Sequence, residues 1–285
     1  MSLAERFAKI LKEDLKLKGN ERILIALSGG LDSVVLFDLL VKAGFELGIA
    51  HVNYNLRGED SIGDRNFIKR LAESHSINLF IKEIEPDFNW SESRSSVQMQ
   101  ARDIRYNFFE RLSESEGYDF IATAHHLNDS YETALLNWIK GNNLKGLSGI
   151  PIFNMRVIRP LLKFKREEIL AYASDSKLQW REDHSNKENK YQRNKLRNQV
   201  IPVLEEINPG LLGNFKERVE ELQNLDELIA KKLNESYGKW ILKKEDGLHI
   251  KCNELGEDVE KRMVFQYLLQ NRLFNYTQIQ NVFDM

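Results

Sequence analysis

A single cysteine, Cys252, is all that the 285 residues hold. It excludes a disulfide within the chain and any CxxC metal or persulfide centre, and it fits a reducing cytoplasm. No apolar run approaches the roughly 20 residues that a membrane span needs. The N-terminus shows no charged segment, apolar core and cleavage site in succession, so the expectation is a cytoplasmic protein without a membrane partner. Repeats and low-complexity tracts are missing too. Nor does one charge dominate: 41 Lys and Arg face 43 Asp and Glu, a net of −2, which alone gives no reason to expect a polyanionic partner. The local distribution differs. Between Arg156 and Pro202 twelve Lys and Arg stand against six Asp and Glu, a balance that suits either an RNA backbone or a solvated basic face.

What is present is a globular composition, 42% hydrophobic and 29% charged, on a chain long enough for two domains. Apolar segments at 22–26, 46–53, 78–84, 118–123 and 155–159 predict strands. Between and around them, 3–16, 33–42, 62–76, 97–115, 129–140 and 165–176 carry helical patterns. Strands separated by helices of ten or more residues predict an α/β fold, a doubly wound parallel sheet with right-handed crossovers. Ligands in such sheets sit at the carboxyl ends of the strands. Residues 183–190 read as a polar loop and 191–201 as a basic helix stopped by Pro202. Asn208-Pro209-Gly210 is a turn signal, so the expected catalytic domain is 1–205. The smaller, mostly helical remainder, 206–285, opens on an amphipathic helix over 211–237 and continues with a hairpin at 240–250. Helical stretches at 258–269 and 276–283 follow. The last is short enough to read as an interrupted element, so the chain is expected to stop within its C-terminal domain.

The most informative segment is Ser28-Gly29-Gly30-Leu31-Asp32-Ser33, between the apolar run 23–27 and the helix that follows. Strand, Gly-Ser turn and helix in that order make an anion cradle, because glycine lets the backbone approach closely and a helix N-terminus adds partial positive charge. The serines add hydroxyl donors, and Asp32 adds a carboxylate able to hold Mg²⁺ beside phosphates. The loop is neither G-x-x-x-x-G-K-[ST] nor G-x-G-x-x-G. Beyond it, the end of the second strand, His51 to Gly58, offers backbone groups near Val52 to an adenine. Arg102 and Arg105 share one helix face, as phosphate-binding guanidiniums do, though surface arginines share faces as often. Thr123 to Thr133 follows the fourth strand with two histidines and two acids. Adjacent histidines at a strand end point apart, which argues against zinc, whereas Asp129 paired across the site with Asp32 suits Mg²⁺. Arg193 and Arg197 lie one turn apart on the basic helix.

The hexapeptide resembles the SGGxDS loop of the PP-loop ATP pyrophosphatases, which cleave ATP between its α and β phosphates. The ordered set SGGLDS, HVNYNLRG, QMQARDIRY, TAHHLNDSYET, RPLL and DHSN…YQRNKLRNQVIP, spanning about 22–202, resembles the tRNA(Ile)-lysidine synthase family. That resemblance implies adenylation by ATP of the 2-carbonyl of the wobble cytidine in the CAU anticodon of tRNA(Ile). The ε-amine of L-lysine then displaces AMP, and codon reading changes from AUG to AUA. It implies that Ser28, Gly29, Gly30, Leu31, Asp32, Ser33 and Val52 bind ATP, with Asp32 and Asp129 at Mg²⁺. Asp32, Arg105, His125, Asp129 and Arg197 would form the catalytic set. Arg105 and Arg197 would offset developing negative charge, Asp129 and Glu132 would hold the lysine ammonium, and His125 would help deprotonate it. A homodimer is compatible with the sequence. Of the competing readings, sulfur transfer lacks its cysteines, an NAD synthetase-like ligase lacks the later motifs, and a nucleotide sensor would not need the acids and arginines.

Overall fold

The computed structural model describes residues 1–55, 58–85, 87–90, 96–141, 144–181, 192–236, 241–244, 247–250, 266 and 269. The polar loop expected at 183–190, Arg57, Tyr191, Trp240, Cys252, the helix at 276–283 and most of that at 258–269 lie outside the described residues. The chain divides into two compact units, Met1–Asp129 with Pro151–Asn194, and Ser130–Ile150 with Lys195–Met285.

The first unit holds a six-stranded sheet in the order β3-β2-β1-β4-β6-β5. Its strands are β1 (Arg22–Ala26), β2 (Glu46–Asn53), β3 (Asn78–Glu83), β4 (Phe120–Ala122), β5 (Phe153–Asn154) and β6 (Val157–Ile158). All pair in parallel except β5, which runs antiparallel to β6 at the edge. Strand β5 is absent from the periodicity, because two exposed residues before a turn at Met155 (φ 53°) carry no pattern to read. Helices α1 (Leu3–Lys9), α2 (Leu31–Lys42), α3 (Glu59–Ser74), α4 (Val97–Glu116) and α7 (Arg166–Asp175) accompany the sheet. The helix expected over 3–16 is divided, since after α1 the chain widens into a π turn, Ile10–Asp14.

Strand β1 is buried on both faces, as a central parallel strand must be. Ile23 and Ile25 point into one core with Phe7, Leu36, Leu40, Ile68, Phe164 and Ile169 from α1 to α3 and the α7 region. Leu24 points the other way, into a second core with Ala50, Phe109, Leu112 and Ile121. The two layers follow from the two-residue period of a strand. From β1 the chain moves outward through β2 to β3, then returns to β1's other side as β4. The direction of winding therefore reverses between β1 and β4, and the chain leaves both strands at the same end of the sheet.

The second unit takes up α5 (Leu127–Ile139) from Ser130 onward and the single turn α6 (Leu144–Leu147). Helix α8 (Gln192–Lys195) straddles the division and runs into a π turn, Leu196–Val200. Then come α9 (Ile201–Ile207), α10 (Leu211–Ser236) and a hairpin of β7 (Ile241–Lys244) and β8 (Gly247–Ile250). Pro202 stands in the first turn of α9, directly after the π turn. The basic helix thus continues past the proline expected to stop it. Tyr131 meets Phe215 edge-on at 4.9 Å, and Ile150 N–H donates to Ser130 Oγ at 3.0 Å. No helix among the described residues is long and apolar enough to cross a membrane.

Gly48, inside β2, is required by a close approach. A Cβ there would lie 2.1 Å from the Tyr118 hydroxyl and 2.4 Å from its Cζ, and Tyr118 is itself buried. Gly48→Ala is expected to lower the unfolding free energy by about 1–3 kcal/mol, read as a lower urea midpoint at unchanged slope.

Candidate active site

The turn after β1 is built by its own side chains. Gly29 has φ 85°, a conformation that L side chains rarely adopt. Gly30 then caps α2, with Leu31 as its first residue and Asp32 in its first turn. Ser33 Oγ accepts from the Ser28 N–H at 3.2 Å, donates to the Gly30 carbonyl at 2.9 Å and meets Ser28 Oγ at 3.0 Å. The Gly30 N–H leans on Ser28 Oγ at 3.3 Å. Two outside contacts brace the loop. The Arg181 N–H donates to the Gly29 carbonyl at 2.9 Å, and Arg181 Nε donates to buried Asp64 on α3 at 2.5 Å. A buried imidazole, His51 Nδ1, stands 2.9 Å from the Leu27 carbonyl. Strand β2 also runs past its last register pair with β1, Ala26 with Ala50, so Val52 stands beyond the point where the Gly-Ser turn leaves the sheet.

The segment after β4 comes to the same end of the sheet. His126 is 4% exposed. Its Nε2 lies 3.5 Å from Asp129 Oδ2 and 3.8 Å from Asp32 Oδ2, so both carboxylates converge on one ring nitrogen. Asp129 Oδ2 also accepts the His126 N–H at 3.0 Å, half of a capping box at the start of α5. Arg193 reaches the other oxygen, Oδ1, at 3.3 Å and the Asp129 carbonyl at 3.1 Å. Burial alone would raise the Asp129 pKa. His126, Arg193, His125 and the His126 amide outweigh it and hold the carboxyl below its ordinary value. His125 Nδ1 lies 2.9 Å from Thr123 Oγ1. Burial, against the attraction of Asp129 and helped by Arg159, Arg193 and Arg105, pushes its pKa down to about 3.

Asp32 and Asp129 thus share one locality within the first unit, and Arg105 and His125 are coupled to it through charge. Arg197 and Glu132 belong to the second unit. There Glu132, 1% exposed, accepts from Arg197 Nε at 2.5 Å and Nη2 at 2.9 Å. Sequence reasoning kept His126, Arg193 and Arg181 out of the catalytic set. The signal for His126 was its place one residue before α5, but direction at a strand end is not legible from spacing. The basic stretch also proves different from a plain solvated face. Lys163 pairs with Asp14 at 2.7 Å, Arg181 with Asp64, Arg193 with Asp129 and Arg197 with Glu132.

Comparison with known proteins fits this geometry. The family model of the PP-loop domain matches residues 1–204. A tRNA(Ile)-lysidine synthase from Chlorobaculum tepidum is 34% identical over 242 residues, 82% of this chain and 73% of that one. Another, from Bacteroides thetaiotaomicron, is 34% identical over 98% of this chain and 65% of its own length. A third, from Porphyromonas gingivalis, is 35% identical over 81% and 51%. The chain therefore spans about half to two thirds of the last two relatives. Among solved structures, the U34-tRNA thiolase NcsA from Methanococcus maripaludis, with its [4Fe-4S] cluster, shares the fold. Its TM-score is 0.63 at 23% identity, over 77% of each chain. The fold and loop thus define a PP-loop protein. Within that class the chain belongs to the tRNA(Ile)-lysidine synthase family.

A histidine whose pKa is depressed on folding leaves the unfolded chain holding more protons between about pH 3 and 6.5, so it makes stability fall as pH drops through that window. Asp129, also depressed, adds a loss in the same direction at the acid end. His125→Gln is expected to remove on the order of 2 kcal/mol of the stability difference between pH 7 and pH 4.5, measured by urea unfolding at both values. An unchanged pH dependence would contradict the buried, neutral state of the ring.

Proposed function

We propose that the chain is the catalytic part of a tRNA(Ile)-lysidine synthase, with 1–205 as its ATP-using domain and 206–285 as a tRNA-contacting region. It would act in the cytoplasm on a tRNA(Ile) with a CAU anticodon. The observation that carries this reading is the convergence of Asp32, from the PP-loop, and Asp129, after β4, on His126. Hard carboxylate oxygens beside a phosphate cradle are the donors Mg²⁺ takes. Among the described residues no group of three or more His, Cys, Asp and Glu is arranged to hold a metal by itself. Mg²⁺ bound by Asp32 and Asp129 would neutralise charge on the triphosphate.

In this reading Ser28, Gly29, Gly30, Leu31 and Ser33 hold the phosphates, and the backbone near Val52 reads adenine. The 2-carbonyl oxygen of the cytidine attacks the α-phosphorus, forming a C–O–P bond and releasing pyrophosphate. Arg105 faces the negative charge that develops there, and Arg197 would serve the cytosine side. The lysine ε-amine then adds at C2 and AMP leaves with the oxygen. Asp129, held ionised by its neighbours, would orient the ammonium, with Glu132 near it. His125 is neutral but weakly basic at a pKa of about 3. It would accept a hydrogen bond from the amine more readily than carry its proton away. A polyphosphate set against Arg159, Arg193 and Arg105 would cancel part of the field that depresses the ring, and so restore some basicity.

The direct test supplies ATP, Mg²⁺, labelled lysine and tRNA(Ile) with a CAU anticodon. Label entering the RNA with one AMP formed per lysine is the expected result, and AMP formation without labelled RNA would defeat the assignment. Asp129→Ala is expected to slow lysine transfer to pre-adenylated tRNA by about 10²-fold or more. A variant that adenylates poorly yet transfers lysine normally would confine Asp129 to the Mg²⁺ role and remove it from the lysine site.

A further inference from the structure

Five guanidiniums of the first unit surround or brace the candidate site, and they differ in what neutralises them. Arg181 and Arg193 pair with Asp64 and Asp129. Arg102, Arg105 and Arg159 have no carboxylate within salt-bridge distance among the described residues. Arg102 and Arg105 lean on the Tyr106 ring instead, with guanidinium carbons 4.6 and 5.8 Å from its centroid.

Arg159 is the informative member. It stands one residue past β6, at the same end of the sheet as the PP-loop, and is 4% exposed. Nη1 donates to the Pro151 carbonyl at 2.8 Å and the backbone N–H to the Ile152 carbonyl at 2.9 Å, so backbone acceptors hold it in place. Its Nε and the Tyr106 hydroxyl are both buried without a hydrogen bond of good geometry, and the hydroxyl lies near enough to the guanidinium to favour its charge. Burial and the charge of Arg102 both disfavour the cation, while Tyr106 favours it. A buried guanidinium with no counter-charge is costly, and so is a buried unpartnered donor. An oxyanion held by Arg159, Arg102 and Tyr106 would offset both costs.

We propose that Arg159, Arg102 and Tyr106 form an oxyanion site for a phosphate of the substrates, separate from the cradle of the PP-loop. Arg159 supplies fixed N–H donors at its floor, Tyr106 a hydroxyl beside them, and exposed Arg102 the rim. The phosphate belongs either to ATP or to the RNA backbone beside the target nucleotide. This inference rests on the function proposed above, since that reaction brings both.

The test measures binding, without turnover. Dissociation constants are taken on the full chain for ATP with Mg²⁺ and no RNA, and for a labelled CAU anticodon stem-loop without ATP. Wild type is compared with Arg159→Met, Arg159→Lys, Tyr106→Phe and Arg102→Gln, with thermal melting as the folding control. Arg159→Met is expected to weaken one ligand at least tenfold and the other less than twofold, which identifies the phosphate's source. Arg159→Lys should recover part of the loss. Arg102→Gln, at an exposed position, should weaken the same ligand even if the buried variants melt early. For an RNA phosphate its loss also lowers the salt dependence of binding. Wild-type binding of both ligands with all folded variants within twofold would overturn the site alone. Failure of wild type to bind either ligand would overturn the proposed function as well.

Discussion

Parallel pairing of β4 beside β1, on the side away from β2, is the constraint from which the rest follows. A chain that winds outward from a central strand and then returns to its other flank leaves a crevice where the direction reverses. The turn after β1 and the turn after β4 then face each other over that crevice, although β1 ends at Ala26 and β4 only at Ala122. Helix α2 aims its N-terminus at the crevice, and α5 begins beside it with Asp129 in its first turn. The two cores, one on each face of β1, hold the strand ends still enough for contacts of 3–4 Å to be meaningful.

Within that crevice charge is divided by function. Asp129 is held below its ordinary pKa by imidazole, guanidinium and amide neighbours, and Asp32 shares the His126 ring with it. Cations farther along, Arg102, Arg105 and Arg159, have no acid of their own among the described residues. Two fixed zones of opposite sign suit a substrate that arrives as a polyanion with a cation, because each zone meets its complement without reorganising. The same zones explain why His125 is neutral: it lies between burial and three guanidiniums, with one carboxylate pulling the other way.

The likeness to a tRNA thiolase carrying a [4Fe-4S] cluster shows that the fold is shared. This sequence has one cysteine, at position 252, outside the domain matched by the PP-loop model. Its own investment is in acids and arginines at the strand ends. Fold alone does not assign a reaction; the chemistry of the side chains at the crevice does.

Local patterns alone were enough to determine the parallel α/β class, the limits of β1 and β2, and the Gly-Ser turn between β1 and α2. Each is written in consecutive residues: a buried strand in an unbroken apolar run, a turn in glycine and serine spacing. Family resemblance added the names of Asp32, Arg105, His125, Asp129 and Arg197. Tertiary structure alone decided which of these meet. It placed His126, not His125, between the two carboxylates, gave Arg193 to Asp129 and Arg197 to Glu132, and left Arg159 buried with a backbone carbonyl for company. It also added the edge strand β5, too short to have a period. The physical reason is the same in every case. Periodicity reports which face a residue lies on, whereas pairing between side chains tens of residues apart depends on rotamers and on the order of strands, and neither is encoded in any one segment.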